Sequence, residues 1–329
     1  MTDGARRIVI DTDPGIDDAT AIAVALASPE LDVVGLTSVF GNHDVEVTTA
    51  NAQRVLDQLG QPDRPVVRGA ARPLVRPFHG PATIVHGADG LGDAGFPPPS
   101  RPPLAGRQAA EWIVRTVLDR PGEVTLVALG PLTNLALALH LEPGIVDAVA
   151  EVVVMGGAAL VSGNVTPTAE ANIWNDPEAA ELVLAAGWPL TLVGLDVTEQ
   201  LFADTAWLRS LDDEPAPGAR LTALTAPCYE RYHARADGLA GIHCHDVATI
   251  AWLLDPGAFA VEPRPVRVVT DGFAAGQTVV PSRRGADAAD WDARPTVQVA
   301  LGVDAPRVLD LVRTRLVAPP IPGSPPPQR

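Results

Sequence analysis

Short apolar runs recur along this chain, and each ends in a polar or glycine-rich turn. Ile8-Val9-Ile10 is the first. Pro14-Gly15 makes the turn, and Asp17-Asp18 open a helix that continues through Ala25. Residues 32–40 repeat the pattern as a buried strand ending in Gly41-Asn42, followed by a helix over 45–59 and a third strand at 65–67. The alternation β-α-β-α-β predicts an α/β fold: an open, Rossmann-like, mostly parallel central sheet flanked by helices.

Residues 71–105 break this rhythm. They are rich in Pro, Gly and Arg and predict one long loop, a length that inside a domain often carries function. His86 within it is either simply exposed or turned toward a substrate. The alternation resumes with a helix over 106–118, a strand over 124–129 and a turn at 130–134 that opens another helix. A strand over 151–157 and a polar loop over 162–172 follow. Asp176-Pro177-Glu178 start a helix, with proline at a permitted first-turn position, and 190–195 is a strand ending at Asp196. Residues 200–245 read as helical and irregular. The chain then predicts a helix over 247–254, strands near 266–269, 277–280 and 296–301, and a last helix over 305–316. The end, VAPPIPGSPPPQR at 317–329, is too proline-rich to pack and predicts a disordered tail. No repeat or linker divides residues 1–316, which read as a single domain.

Composition removes several function classes. The 329 residues suffice for a large core, and 47% hydrophobic with 19% charged content describes an ordinary globular protein. A net charge of −16 argues against nucleic-acid or anionic-membrane partners, which call for a basic face. All 24 basic residues are arginine. Two cysteines, Cys228 and Cys244, make neither a disulfide framework nor a zinc pattern. No signal-like N-terminal stretch and no membrane-length apolar run is evident, so the expected location is cytoplasmic.

The chemistry gathers at strand ends. Asp11, Asp13, Asp17 and Asp18 crowd one strand-to-helix turn, and a helix N-terminus offsets only part of their repulsion. A hard cation offsets the rest, because carboxylate oxygens are its preferred ligands. In a parallel sheet the strand C-terminal ends share one edge, where open α/β sheets carry their sites. Asn42, Asn164, Glu170 and Asn172 can thus converge on the aspartates. Asp246 is another acid at a helix start, where it would equally serve as a cap.

These motifs, in this order, resemble the inosine-uridine preferring nucleoside hydrolase family. The resemblance runs through DTDPGIDDA at 11–19, GN at 41–42, HGADGLG at 86–92, LGPLTN at 129–134 and VVMGG at 153–157. It continues through GNVTPTAEAN at 163–172, DPEAA at 176–180, GLDVT at 194–198 and HD at 245–246, nearly the whole chain. It implies hydrolysis of the N-glycosidic bond of ribonucleosides to ribose and free base, in purine or pyrimidine salvage and ribonucleoside catabolism. It implies Ca²⁺ held by Asp13, Asp18, Asp246 and the backbone carbonyl of Leu129, with a calcium-bound water giving its proton to Asp13. Asp17 would hold the ribose 2′-hydroxyl, and Asn42, Asn164, Glu170 and Asn172 the other sugar hydroxyls. His245 would protonate or contact the base, with His86 as the second candidate. Specificity of the inosine/uridine type or a pyrimidine preference, and a homodimer or homotetramer, complete the expectation. One departure stands out: family members often carry an aromatic residue where this chain has Ala171.

Two rivals deserve weighing. Asp11-Thr12-Asp13 after an apolar strand resembles the nucleophile motif of haloacid dehalogenase-type phosphatases, but that class uses a downstream lysine, and this chain has none. A non-catalytic nucleoside-binding protein on the same fold is the other; every metal and base position is present, so nothing in the sequence favours it.

Overall fold

The computed structural model describes residues 4–106, 108–281, 291 and 293–319. Its first half alternates as the apolar pattern predicts: β1 (Arg6–Thr12), α1 (Ile16–Leu26), β2 (Leu31–Ser38), α2 (Val45–Gln58) and β3 (Val66–Arg68). After the long loop, with its short helix α3 (Thr83–His86), come α4 (Ala109–Leu118), β4 (Val124–Ala128), α5 (Thr133–Leu141), α6 (Ile145–Ala148) and β5 (Glu151–Met155). Next are α7 (Ala171–Asn175), α8 (Pro177–Ala185), β6 (Leu190–Val193), α9 (Leu195–Thr198), β7 (Phe202–Asp204) and α10 (Thr205–Arg209). The remainder is α11 (Pro217–Ala236), β8 (Gly241–His243), α12 (Val247–Leu254), β9 (Phe259–Pro265), β10 (Arg267–Val268), β11 (Thr278–Val279), β12 (Thr296–Val303) and α13 (Ala305–Leu316).

Eight strands form the central sheet in the order β3-β2-β1-β4-β5-β6-β12-β9. All neighbours pair in parallel except β9, which runs antiparallel to β12 at the edge. β1 sits centrally and is buried on both faces, as parallel strands are. Ile8 and Ile10 join the apolar core that includes α1, α11, α12 and α13, while Val9 joins the other core, with α4, α5 and α8. This alternation explains why β1 reads as an unbroken apolar run. The order reverses between β1 and β4, and the crevice outside their C-terminal ends is where an open α/β sheet binds its ligand.

Three features went beyond the sequence reading. Residues 259–265 form an edge strand although they contain Pro263 and Pro265, which an edge tolerates because one side of the strand needs no ladder bonds. The strand expected at 266–269 is only the two residues of β10, paired antiparallel with β11. The irregular stretch 200–245 contains a small antiparallel pair, β7 with β8, and the twenty-residue helix α11, which accommodates Pro227 in its interior. Residues 320–329 of the proline-rich end lie outside the described residues. Among the described residues, no helix is long and apolar enough to cross a membrane.

Candidate active site

β1 delivers its acids to the crevice by simple chain geometry. Asp11 and Thr12 end the strand, Asp13 follows in the turn, and Asp17 and Asp18 occupy the first turn of α1. Asp18 closes the turn on itself, accepting from the Gly15 backbone N–H at 2.9 Å and from Thr12 Oγ1 at 2.5 Å. Asp13 accepts from the Asn42 backbone N–H at 2.7 Å, so the end of β2 fixes the acid that follows β1. The Asn42 side-chain amide donates to the Asp13 carbonyl at 3.2 Å and to Asp18 Oδ2 at 3.1 Å. The glycines of this region are needed for close approach. A Cβ on Gly130 would lie 2.5 Å from Asp13 Oδ1, and one on Gly41 would collide with the other carboxylate oxygen.

One carboxylate oxygen each from Asp17, Asp18 and Asp246 lies within 4.8 Å of the others, a group that could hold a metal ion. The family resemblance puts Asp13, Asp18, Asp246 and the Leu129 carbonyl at the metal and gives Asp17 to the sugar. The tightest grouping thus draws in Asp17 beside two of the expected ligands. Asp13 stands next to the three: burial first, then the fields of Asp18 and Asp17, raise its pKa well above the carboxylate range. Asp246 is raised in the same sense by burial and by Asp17, Asp18 and Asp13. Asp17 is pushed up to about 7 by burial and the nearby Asp18. The charged neighbours acting on these carboxyls are themselves acids. Asp13 Oδ1 is buried with no hydrogen-bond partner. Hard oxygen donors, mutual repulsion and an orphaned buried oxygen together fit a divalent hard cation.

The Leu129 carbonyl, at the end of β4, accepts the Asn172 side-chain amide at 2.6 Å, and Asn172 also donates to the Met155 carbonyl at 3.2 Å. Asn172 thereby stitches the ends of β4 and β5 together. Glu170 caps α7: its carboxylate accepts from the backbone N–H groups of Gly157, Asn172 and Ile173. Burial still raises its pKa, and its field in turn raises Asp17, which places it beside the cluster. Asn164 lies on the exposed loop before α7, and its Oδ1 accepts from Ala171 N–H at 3.1 Å. All the sugar-contact candidates thus belong to one connected edge of the sheet.

Two buried histidines lie at the same edge of the sheet, His86 against the acid turn and His245 next to Asp246 in the chain. His86, in α3, is buried, and its Nδ1 accepts the Ile16 backbone N–H at 3.2 Å. Burial lowers its pKa to about 4, so the ring is neutral and any ring proton sits on Nε2. His245, just ahead of α12, pairs Nδ1 with Thr198 Oγ1 at 2.8 Å. Burial, then the neighbouring His243, His233 and His86, lower its pKa to about 3. Tyr229 of α11 stands 6.0 Å, centroid to centroid, from His86, and the fields of Asp17 and Asp246 help burial to raise its pKa.

Sequence reasoning overlooked the supports beneath these groups. Asp11 is buried and accepts from Thr37 Oγ1 and from Asn134 Nδ2, which also bonds the Ser38 carbonyl. Asn51 donates to the carbonyls of Pro14 and Asp89, tying the acid turn to the long loop. Thr198, within GLDVT, carried no local signal for its hold on His245.

Comparison with known proteins adds four findings. The family model described as inosine-uridine preferring nucleoside hydrolase matches residues 8–310. The chain is 42% identical to the Probable uridine nucleosidase 2 of Arabidopsis thaliana, over 95% of this chain and 98% of that one. It is 40% identical, at the same coverages, to the Pyrimidine-specific ribonucleoside hydrolase RihA of Salmonella paratyphi B. A solved plant nucleoside hydrolase superposes with a TM-score of 0.92 at 39% identity, covering 95% of this chain and 99% of that one.

Proposed function

The chain belongs to the inosine-uridine preferring nucleoside hydrolase family, and on that premise we propose that it hydrolyses pyrimidine ribonucleosides, uridine foremost, with Ca²⁺ as its metal. The base preference is supported by relatives named for uridine and for pyrimidine ribonucleosides, aligned along nearly the whole chain. The observation that carries the reading is the buried carboxylate group at the crevice, with the neutral, buried His86 and His245 close to it in the fold.

Asp13, Asp18, Asp246 and the Leu129 carbonyl are the residues that would hold the ion, with Asp17 close enough to share it or to take a sugar hydroxyl. When bound, Ca²⁺ supplies positive charge that binds sugar hydroxyls and makes a water easier to deprotonate. Asp13 Oδ1, buried without a partner, is free to take the proton of the attacking water. Cleavage of such a bond passes through an oxocarbenium-like sugar, whose positive charge the surrounding carboxylates stabilise. Asn42, Asn164, Glu170 and Asn172, fixed by the bonds described above, present their remaining polar atoms to the ribose. His245, a neutral ring with Nδ1 engaged by Thr198, is left with Nε2 as the atom to contact the departing base. His86, with Nδ1 engaged by Ile16, offers Nε2–H to a base oxygen. Ala171 leaves the sugar-side wall small.

Calorimetric titration of chelator-stripped protein with Ca²⁺ tests the metal assignment. One site per chain, weakened strongly by Asp18→Asn and by Asp246→Asn, is expected. Equal affinity in both variants and the unmodified chain would place the metal elsewhere.

A further inference from the structure

Of the stretch HGADGLG at 86–92, the reaction as described uses His86 alone. The rest folds back on itself into a knot. Asp89 Oδ1 accepts the backbone N–H groups of Leu91 at 2.7 Å and Asp93 at 2.9 Å, and Asp93 Oδ1 accepts those of Ala88 at 2.8 Å and Asp89 at 3.2 Å. Gly92 N–H closes the knot on the His86 carbonyl at 2.7 Å. A segment bonded in this way moves as one body, so whatever fixes the knot fixes His86. Asn51 of α2, fully buried, meets it from below. Its Nδ2 donates to the Asp89 carbonyl at 2.9 Å and to the Pro14 carbonyl at 3.2 Å, while Oδ1 accepts from Arg54 Nη1 at 2.8 Å. The Arg54 contact decides which way the amide faces: a guanidinium has no acceptor, so it takes the oxygen and the nitrogen is turned to the two carbonyls. Pro14 lies in the acid turn and Asp89 in the knot, so one NH2 group sets the spacing between them. The acid turn has other holds, in Thr12, Gly15 and Asn42. The segment 82–93 is tied at its His86 end by the bond to Ile16 at 3.2 Å and by Ala82 N–H on the Asn42 carbonyl at 2.9 Å; its far end rests on Asn51. A Cβ on Gly90 would lie 2.8 Å from Asn51 Nδ2, so the knot seats directly against the amide.

We propose that Asn51 is a positioning residue for the base side of the site: by joining the acid turn to the 86–93 knot, it holds His86 Nε2–H in register with a carbonyl oxygen of the pyrimidine base. The proposal rests on the reading of His86 as a base contact. With the amide disabled, the acids that bind the sugar keep their places and the knot shifts against them. A base oxygen then loses its donor, while the groups acting at C1′ are unchanged. That loss is common to the bound substrate and the transition state, so it falls on KM rather than on kcat.

The test compares uridine with 4-nitrophenyl riboside, which has no base carbonyl. Asn51→Asp keeps the size of the side chain and the acceptor for Arg54 and removes both donors. Its KM for uridine is expected to rise about tenfold, the size of one lost hydrogen bond, with kcat and the nitrophenyl riboside KM each within about twofold of the unmodified chain. Ca²⁺ affinity, read by calorimetric titration, is expected not to fall; a merely structural loss at the acid turn would lower it. Gly90→Ala disturbs the same contact from the knot and leaves α2 untouched, and is expected to raise the uridine KM in the same selective way. Equal KM increases on both substrates, a fall in Ca²⁺ affinity, or an unchanged uridine KM in both variants would overturn the proposal. His86→Ala separates the two readings. If it leaves the uridine KM unchanged, the reading of His86 fails and the positioning role with it. If it raises that KM while the Asn51 and Gly90 variants are silent, only the positioning role fails.

Discussion

Asp11 is the sharpest place to test the electrostatic account, because it is buried and its charge is opposed on known terms. It is 1% exposed, its Oδ1 accepts from Thr37 and Asn134, and its Oδ2 has no partner. Burial pushes its pKa from 3.8 to about 7 against those two hydrogen bonds. Consider Asp11→Asn in chelated protein. Asn keeps an acceptor for both donors and places a neutral group where the protonated acid already has an unpaired O–H, so packing changes little. The sign follows from linkage. Between the unfolded and folded pKa values the native state binds the extra proton, so stability contributed by Asp11 falls as pH rises, and the fall ends near pH 7. From pH 5 to 8 the loss spans two pH units at about 1.4 kcal/mol each, roughly 3 kcal/mol. Asn carries no such loss. Urea unfolding at both pH values should therefore show the variant gaining about 3 kcal/mol on the unmodified chain between pH 5 and pH 8. The same difference at both pH values, or a relative loss at pH 8, would refute the reasoning.

Asp13→Ala should reduce kcat by roughly 10²–10⁴-fold in steady-state uridine assays, the range for a lost general base; unimpaired kcat would remove Asp13 from the mechanism. Gly130→Ala should impair turnover nearly as much while the protein remains folded by circular dichroism, because the new Cβ would lie 2.5 Å from Asp13 Oδ1 and force that carboxylate aside. Thr198→Val should lower uridine turnover more than nitrophenyl riboside turnover, since it releases the His245 ring held at 2.8 Å. Chelation should lower Tm, and the gain on restoring Ca²⁺ should grow from pH 5 to pH 8 as the raised carboxyls ionise, which thermal melts at several pH values would read.

The parallel core was legible because β1, β2, β4, β5 and β6 are buried over most of their length and so appear as largely apolar runs. The edge was not: Phe259–Pro265 mixes proline, glutamate and arginine, and only its pairing with β12 makes it a strand. Acids at strand ends announced the cluster, since like charges are rarely concentrated without a counter-ion. What connects them was hidden, because the Asn172 amide meeting the Leu129 carbonyl spans 43 residues and Asn134 meeting Asp11 spans 123. His86 carried no periodic signal within its loop. Its place in the site comes from a single backbone N–H on α1.

The most direct measurement is ribose release from a panel of uridine, cytidine, inosine and adenosine, with chelator and with Ca²⁺ restored. Calcium-dependent release, with the pyrimidine nucleosides ahead of the purines, is the predicted result. Release indifferent to chelator, or no release from any of the four with Ca²⁺ bound, would contradict the account.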